Sequence, residues 1–163
     1  MNFTAKSRYA LKIMMDLADF NGEGLQQRQK IAARQGISPD FMDHIMARLR
    51  AHGLVTSIRG RQGGFRLEKS PDEISLWDIF SAVEEGLFPV QCVEDSGCQL
   101  EAQCIAHDAW LDVAHIIQVE LVKRSLGDLL KKWQDKKDKQ TAFSLLPALK
   151  LQENSECRGP RRA

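Results

Sequence analysis

The sequence predicts a mainly α chain with one small β-hairpin: a helical head closed by the hairpin, then a long helix beyond it. Three observations carry this reading. Apolar residues recur at helical spacing in residues 5–20, 39–50 and 105–124. Helix start and stop signals fall at the edges of such stretches: Ser38 with Pro39, Ser75 with Asp78, Gly36 and Gly53. Two short apolar segments, 54–58 and 65–67, flank the cationic, glycine-rich "RGRQGG", which reads as a hairpin tip.

In order along the chain, residues 5–20 form the first helix. Tyr9, Ala10, Ile13, Met14, Leu17 and Ala18 line one apolar face, and "NGEG" ends it. A second helix lies in "QQRQKIAARQ" and stops at Gly36. In "ISPDFMDHIMARLRAHG", Ser38 is the N-cap, and Pro39 takes the first helical position, where its missing N–H costs nothing. Phe41, Met42, Ile45, Met46 and Leu49 form the buried stripe. Asp40, Asp43, His44, Ala47, Arg48 and Arg50 point elsewhere, and Gly53 closes the helix. Two short helices joined by a glycine-containing turn make a helix-turn-helix. The hairpin after it makes a winged helix, with Arg59 and Arg61 placed to enter a minor groove.

Ser75 and Asp78 then open a fourth helix with a capping-box-like pair. Ile74, Ile79 and Val83 are expected to pack on the first helix. After Gly86, Pro89 and a cysteine segment comes the long helix, striped by Trp110, Val113, Ala114, Ile117 and Leu121. That is too much apolar face for a lone projecting helix, and a second copy of the chain is the expected cover. Ser125 and Asp128 restart a helix in "SLGDLLKKW". Periodicity fades from about residue 134, and "SECRGPRRA" reads as disordered.

The formal net charge of +1 hides an asymmetry. Residues 1–70 carry twelve Lys/Arg against six Asp/Glu, residues 71–133 four against twelve, and the remainder seven against four. A basic head on an acidic middle suits a polyanion partner at the N-terminal end. The hydrophobic fraction of 43% allows a real core. Lys6, Arg8, Lys12 and Asp16 interrupt the N-terminal stretch, so neither a secretory signal nor a membrane span is read there. The chain is expected in the cytoplasm, where thiols stay reduced. No phosphate-binding glycine loop or Ser/His/Asp set can be assembled, so an enzyme is not expected.

"CVEDSGCQLEAQCIAH" gathers Cys92, Cys98, Cys104 and His107 within sixteen residues of a chain whose only other cysteine is Cys157. In a reducing compartment such a cluster reads as a metal or redox site before a disulfide framework. His107 follows Cys104 by three residues, so both can face one point from the start of a helix. Thiolates select zinc, copper(I) or iron–sulfur clusters. The residues leave three readings open: a structural zinc site with three Cys and one His, a thiol sensor that forms a disulfide, and an iron–sulfur cluster with one His ligand. An RNA-binding finger is disfavoured, because "VEDSG" and "QLEAQ" offer no aromatic to stack on a base. His44, His52 and His115 have no ligand role, and Cys157 reads as a free thiol.

The stretches "SRYALKIMMDLA", "IAARQGIS", "FMDHIMARLRAHGLVTSIRGRQGGFRL" and "ISLWDI", with the Cys–Cys–Cys–His set, resemble the Rrf2 family of bacterial winged-helix regulators. Within it they resemble the iron–sulfur cluster regulator (IscR) type, over roughly residues 1–133. The resemblance implies a homodimer with crossed long helices and a 2Fe–2S cluster in each subunit, held by Cys92, Cys98, Cys104 and His107. It also implies transcriptional control of iron–sulfur assembly and iron or redox homeostasis genes. Two departures are visible. The wing "RGRQGG" has Arg61 where the family often has Pro, and the recognition helix carries Asp40 and Asp43, so operator preference does not carry over.

The expected organisation is a winged helix-turn-helix DNA-binding domain at 1–85, a cluster-binding loop at 86–108, dimerisation helices at 109–133 and a flexible tail at 134–163. Candidate DNA contacts are Ser38, Asp40, Asp43, His44, Arg59, Gly60, Arg61 and Gln62. Candidate dimer contacts are Trp110, Val113, Ile117 and Leu121. The expected partners are an operator duplex, a second copy of the chain, and iron–sulfur assembly proteins as cluster donors, with no membrane. The alternative is a zinc-stabilised, constitutive DNA-binding regulator.

Overall fold

Helix α1 (Ala5–Asp19) starts at Thr4, whose hydroxyl accepts from the Lys6 amide at 3.1 Å. Its inward face, Ala10, Ile13, Met14, Leu17 and Ala18, is buried as its spacing requires. Helix α2 (Arg28–Gln35) ends at Gly36, which takes the left-handed conformation (φ 61°) that a side chain would strain. Helix α3 (Pro39–Ala51) is capped by Ser38 and buries Met42, Ile45, Met46 and Leu49. Strands β1 (Val55–Ile58) and β2 (Gly64–Leu67) pair antiparallel, with Val55 opposite Leu67 and Ile58 opposite Gly64. A 3₁₀ turn at Pro71–Glu73 leads to α4 (Leu76–Val83). Helices α5 (His107–Val122) and α6 (Leu126–Glu153) follow. This computed structural model describes residues 3–60, 62–90, 93 and 103–153. The chain divides into two units, Met1–Leu130 and Lys131–Ala163; the core and the sites below lie in the first.

The capping pair of α4 forms as expected. The Ser75 amide donates to Asp78 Oδ2 at 2.9 Å, and the Asp78 amide donates to Ser75 Oγ at 3.1 Å. Ile74, Ile79 and Val83 are fully buried, and α4 packs on α1, α3 and α5. Losing Ile74 or Ile79 to alanine should cost about 2–5 kcal/mol, through both transfer and cavity. Where α5 passes into α6, the Leu76 amide donates to the Arg124 carbonyl at 2.9 Å and the Leu126 amide to the Ile74 carbonyl at 2.8 Å. Leu126, fully buried, anchors that junction.

A third segment borders the hairpin. Gln26 and Phe65 exchange both backbone hydrogen bonds, at 2.8 and 2.9 Å. Gly64 is required there, because a Cβ on it would sit 2.6 Å from the Gln26 carbonyl oxygen. The α1–α2 connection is thus tied to the wing. Helix α6 runs to Glu153, into the stretch from about residue 134 where periodicity fades and a flexible tail was expected. The lysine-rich start of that stretch is made of good helix formers, so it can be helical without an apolar stripe. The final stretch, with Cys157, lies outside the described residues.

Candidate nucleic-acid interface and metal-ligand segment

The outward face of α3 carries Asp40, Asp43, His44 and Ala47, all exposed, with Ser38 exposed at its N-cap. At the wing tip Arg59, Gly60 and Gln62 are exposed, and Gly60 adopts φ 123°, a conformation that favours glycine. Arg61 lies outside the described residues. Arg50 Nη1 donates to Ser57 Oγ at 3.1 Å, joining the end of α3 to β1. The recognition face and the wing are therefore linked by a side-chain contact as well as by the chain.

Two ion pairs that sequence spacing did not suggest shape this head. Arg34 on α2 grips Asp16 on α1 with Nε to Oδ1 at 2.8 Å and Nη2 to Oδ2 at 2.6 Å, and Gln35 Nε2 adds a third bond at 2.8 Å. The hydrogen bond to Asp16 raises the Arg34 pKa further, against the opposing effect of burial. Arg34 also reaches Gln26 Oε1 at 3.2 Å and lies over the Phe20 ring at 4.4 Å. One guanidinium thus joins α1, α2 and the residue that borders the wing. The second pair is Arg28 Nη1 to Asp43 Oδ2 at 2.5 Å, from α2 to the outward face of α3. The cations of α2 carried no local motif, so only the folded chain brings them to these carboxylates.

Of the four ligand candidates, Cys92 and Cys98 lie outside the described residues. Cys104 is an exposed free thiol just ahead of α5, and His107 is the first residue of that helix, 6% exposed. The His107 amide donates to the Cys104 carbonyl at 3.1 Å, which fixes their backbones in one turn as the spacing implied. Among the described residues no group of three or more His, Cys, Asp or Glu side chains comes together. A thiol at an accessible turn and an imidazole at a helix start are among the donors that a cluster or zinc takes, so the chemistry of Cys104 and His107 fits such a group.

Helix α5 shows two faces. Ala114 is buried, and Leu121 packs against the chain's own core. Ile117 is half-buried. Trp110 and Val113 remain 38% and 39% exposed, joined by Leu111 at 42% and Ile116 at 60%. Leu111 and Ile116 were absent from the sequence stripe, because a single helical stripe cannot show that a helix is apolar on a second side. Among the described residues no helix is long and apolar enough to cross a membrane.

A helix-turn-helix with an open outward face, a cationic wing and an apolar helix beyond it define a winged-helix DNA-binding regulator. The Rrf2 family, described as "Iron-dependent Transcriptional regulator", matches residues 3–132. The chain is 39% identical over 130 residues to the HTH-type transcriptional regulator IscR of Aliivibrio salmonicida, covering 80% of this chain and 77% of that one. It is 38% identical over 144 residues to the protein of the same name from Pectobacterium carotovorum, covering 87% and 88%. Among solved structures, IscR of T. potens matches with a TM-score of 0.66 at 31% identity over 83% of this chain and 90% of that one. CymR, the global cysteine regulator of B. subtilis, matches with a TM-score of 0.66 at 32% identity over 81% and 98%. The chain belongs to the Rrf2 family of winged-helix transcriptional regulators and is of the IscR type within it.

Proposed function

We propose that this regulator binds a two-fold operator as a homodimer and that a 2Fe–2S cluster in each subunit, held by Cys92, Cys98, Cys104 and His107, governs that binding. Its targets are iron–sulfur assembly and iron or redox homeostasis genes, and iron–sulfur assembly proteins supply the cluster. The carrying observation is the ligand set itself: three thiols and an imidazole ahead of α5, with His107 buried at its first turn. When bound, the cluster supplies a redox-sensitive, oxygen-labile crosslink between the segment and the helix. The chain's own residues do the rest. Asp43, His44 and Ser38 meet base edges and backbone in the major groove, while Arg59 and Arg61, with Gly60 and Gln62, reach the adjoining groove or phosphates. Trp110, Val113, Leu111 and Ile116 give the second copy an apolar seat, and a dimer sets two recognition helices one DNA turn apart.

The donor set suits zinc as well as iron and sulfide, which leaves the zinc-stabilised, constitutive regulator as the second reading. Anaerobic purification separates them. Red-brown protein with about two iron and two sulfide per subunit is expected. Colourless protein with one zinc per subunit would replace the cluster reading with the structural one.

A further inference from the structure

Helix α4 ends at Val83, and its C-cap Glu84 leaves the helix extended, with φ −98° and ψ 153°. Three consecutive residues there hold two other helices. The Val83 carbonyl accepts from Arg48 Nη1 at 3.2 Å, and the Glu85 carboxylate accepts from Arg48 Nη2 at 3.2 Å. The Glu84 carboxylate accepts from the Thr4 amide at 2.9 Å, from Thr4 Oγ1 at 2.7 Å and from Ser7 Oγ at 2.5 Å. Burial opposes the charge on Glu84, but the hydrogen bonds from Ser7 and Thr4 outweigh it and hold the carboxyl below its ordinary pKa.

Arg48 sits in the last turn of α3, the helix whose outward face carries Asp43 and His44. The Val83 carbonyl is one of the acceptors that α4 leaves without an intrahelical donor, at the end where a cation is favoured. Arg48 therefore fastens the recognition helix to the backbone of α4 and to the chain leaving it. Only residues 86–91 separate Glu85 from Cys92, a reach of at most about 25 Å. Along the way Leu87 is buried, and the Phe88 ring lies 5.6 Å from Trp77 on α4. The ligand-bearing segment thus begins at the clasp that holds α3.

We propose that residues 83–85 are the junction through which the ligand-bearing segment acts on the recognition helix, with Arg48 and Glu85 as positioning residues; this rests on the metal reading above. The strengths suit a switchable link. The Arg48–Glu85 pair is exposed, at 41% and 81% of its two side chains, and a pair of that kind is weak. It can form or loosen according to how the following chain is ordered. The Glu84 clasp on α1 has three donors on one carboxylate and keeps the end of α4 in place, so a change beyond Gly86 reaches α3 and not α1.

The test compares operator affinity of the full chain with and without its reconstituted cluster. Glu85→Ala should shrink the ratio of the two affinities by about 3- to 10-fold, because each pair is weak but a dimer carries two. Iron and sulfide content should stay at the parental level. Glu85→Asp should restore part of the ratio. Arg48→Ala, which also removes the bond to the Val83 carbonyl, should shrink the ratio at least as far, and Glu85→Ala added to it should remove little more. In metal-free protein, Glu85→Ala should also speed amide exchange in the last turn of α3. Glu85 is exposed, so its replacement leaves the core untouched, and an unchanged thermal midpoint checks this. A parental ratio in Glu85→Ala with full cluster content overturns the junction while leaving the metal reading intact. A parent chain that takes up no iron and sulfide overturns the metal reading, and the junction with it.

Discussion

Asp16 and Asp43 are both paired with arginines of α2, and burial gives them different roles. The Asp16 side chain is 5% exposed and receives two bonds from Arg34 and one from Gln35. Removing Arg34 would leave a buried charge unpaired, at a cost of about 3–5 kcal/mol, so that pair is architecture. The Asp43 side chain is 47% exposed and meets Arg28, itself 44% exposed. Such a pair is worth about 0.2–1 kcal/mol, little enough for DNA to compete with it. A carboxylate on the outward face can accept from cytosine N4 and repels phosphates and guanine acceptors, so in the proposed interface Asp43 would select partly by rejection. Asp43→Ala should broaden the set of bound sites. Arg28→Ala, which leaves Asp43 unneutralised, should narrow it. Selection from a random-site library reads both directions, and one shared consensus for parent and both variants would refute the assignment.

Glu84 makes a second residue-scale prediction. Its pKa in the folded chain is lowered, with burial opposing and the Ser7 and Thr4 hydrogen bonds prevailing. A carboxylate lowered on folding contributes stability that is full above its unfolded value and is lost as pH falls through the folded one. Glu84→Gln should therefore lower the thermal midpoint at neutral pH by about 2–4 °C, corresponding to about 1 kcal/mol. The gap between variant and parent should narrow only as pH falls below the ordinary glutamate value of about 4.3, towards the lowered folded value. Thermal scans of both proteins across pH 3–7 measure this, and a gap that persists undiminished at low pH would place the role of Glu84 elsewhere than in its charge.

At the scale of elements, the helices were legible because their signals are local. Ser38–Pro39 and Ser75/Asp78 marked two starts, Gly36 and Gly53 marked two ends, and apolar spacing fixed which face of α1 and α3 turns inward. The hairpin was legible from two apolar segments around glycines. What stayed hidden was long-range or lacked a period. Arg34 to Asp16, Ser7 to Glu84 and Arg48 to Val83 join residues 18, 77 and 35 positions apart, and no local pattern announces such a partner. The extension of α6 to Glu153 has no apolar stripe at its start to reveal it. Of the ligand set, the sequence spacing placed Cys104 and His107 at a helix start, where the structure has them, while Cys92 and Cys98 lie outside the described residues. The wing makes an element-scale prediction. Arg59→Ala should weaken operator binding by about 1–3 kcal/mol if the side chain reads a base, and by less, with a shallower salt dependence, if it touches only phosphate. Titrations at several salt concentrations distinguish the two, and unchanged affinity at every concentration would remove the wing from the interface.

At the scale of the whole molecule, the outward apolar face of α5 is the feature that one chain alone leaves unexplained. Trp110, Val113 and Ile116, spaced three apart along α5 and each exposed, form an apolar stripe of the kind that marks an interface. Val113→Glu with Ile116→Glu should yield a folded monomer by sedimentation and weaken full-operator binding by at least about 100-fold, since each half then binds without the other. A folded monomer that kept parental affinity would detach dimerisation from DNA binding.

The coupling of the ligand set to DNA binding is tested most directly by one titration. A single selected operator is bound by anaerobically reconstituted protein and by the same preparation after its iron is chelated. Dissociation constants that differ by about fivefold or more are expected, in the range of ordinary coupling between two sites. Equal constants for the two forms, with iron and sulfide confirmed in the first and absent from the second, would contradict control of DNA binding by Cys92, Cys98, Cys104 and His107.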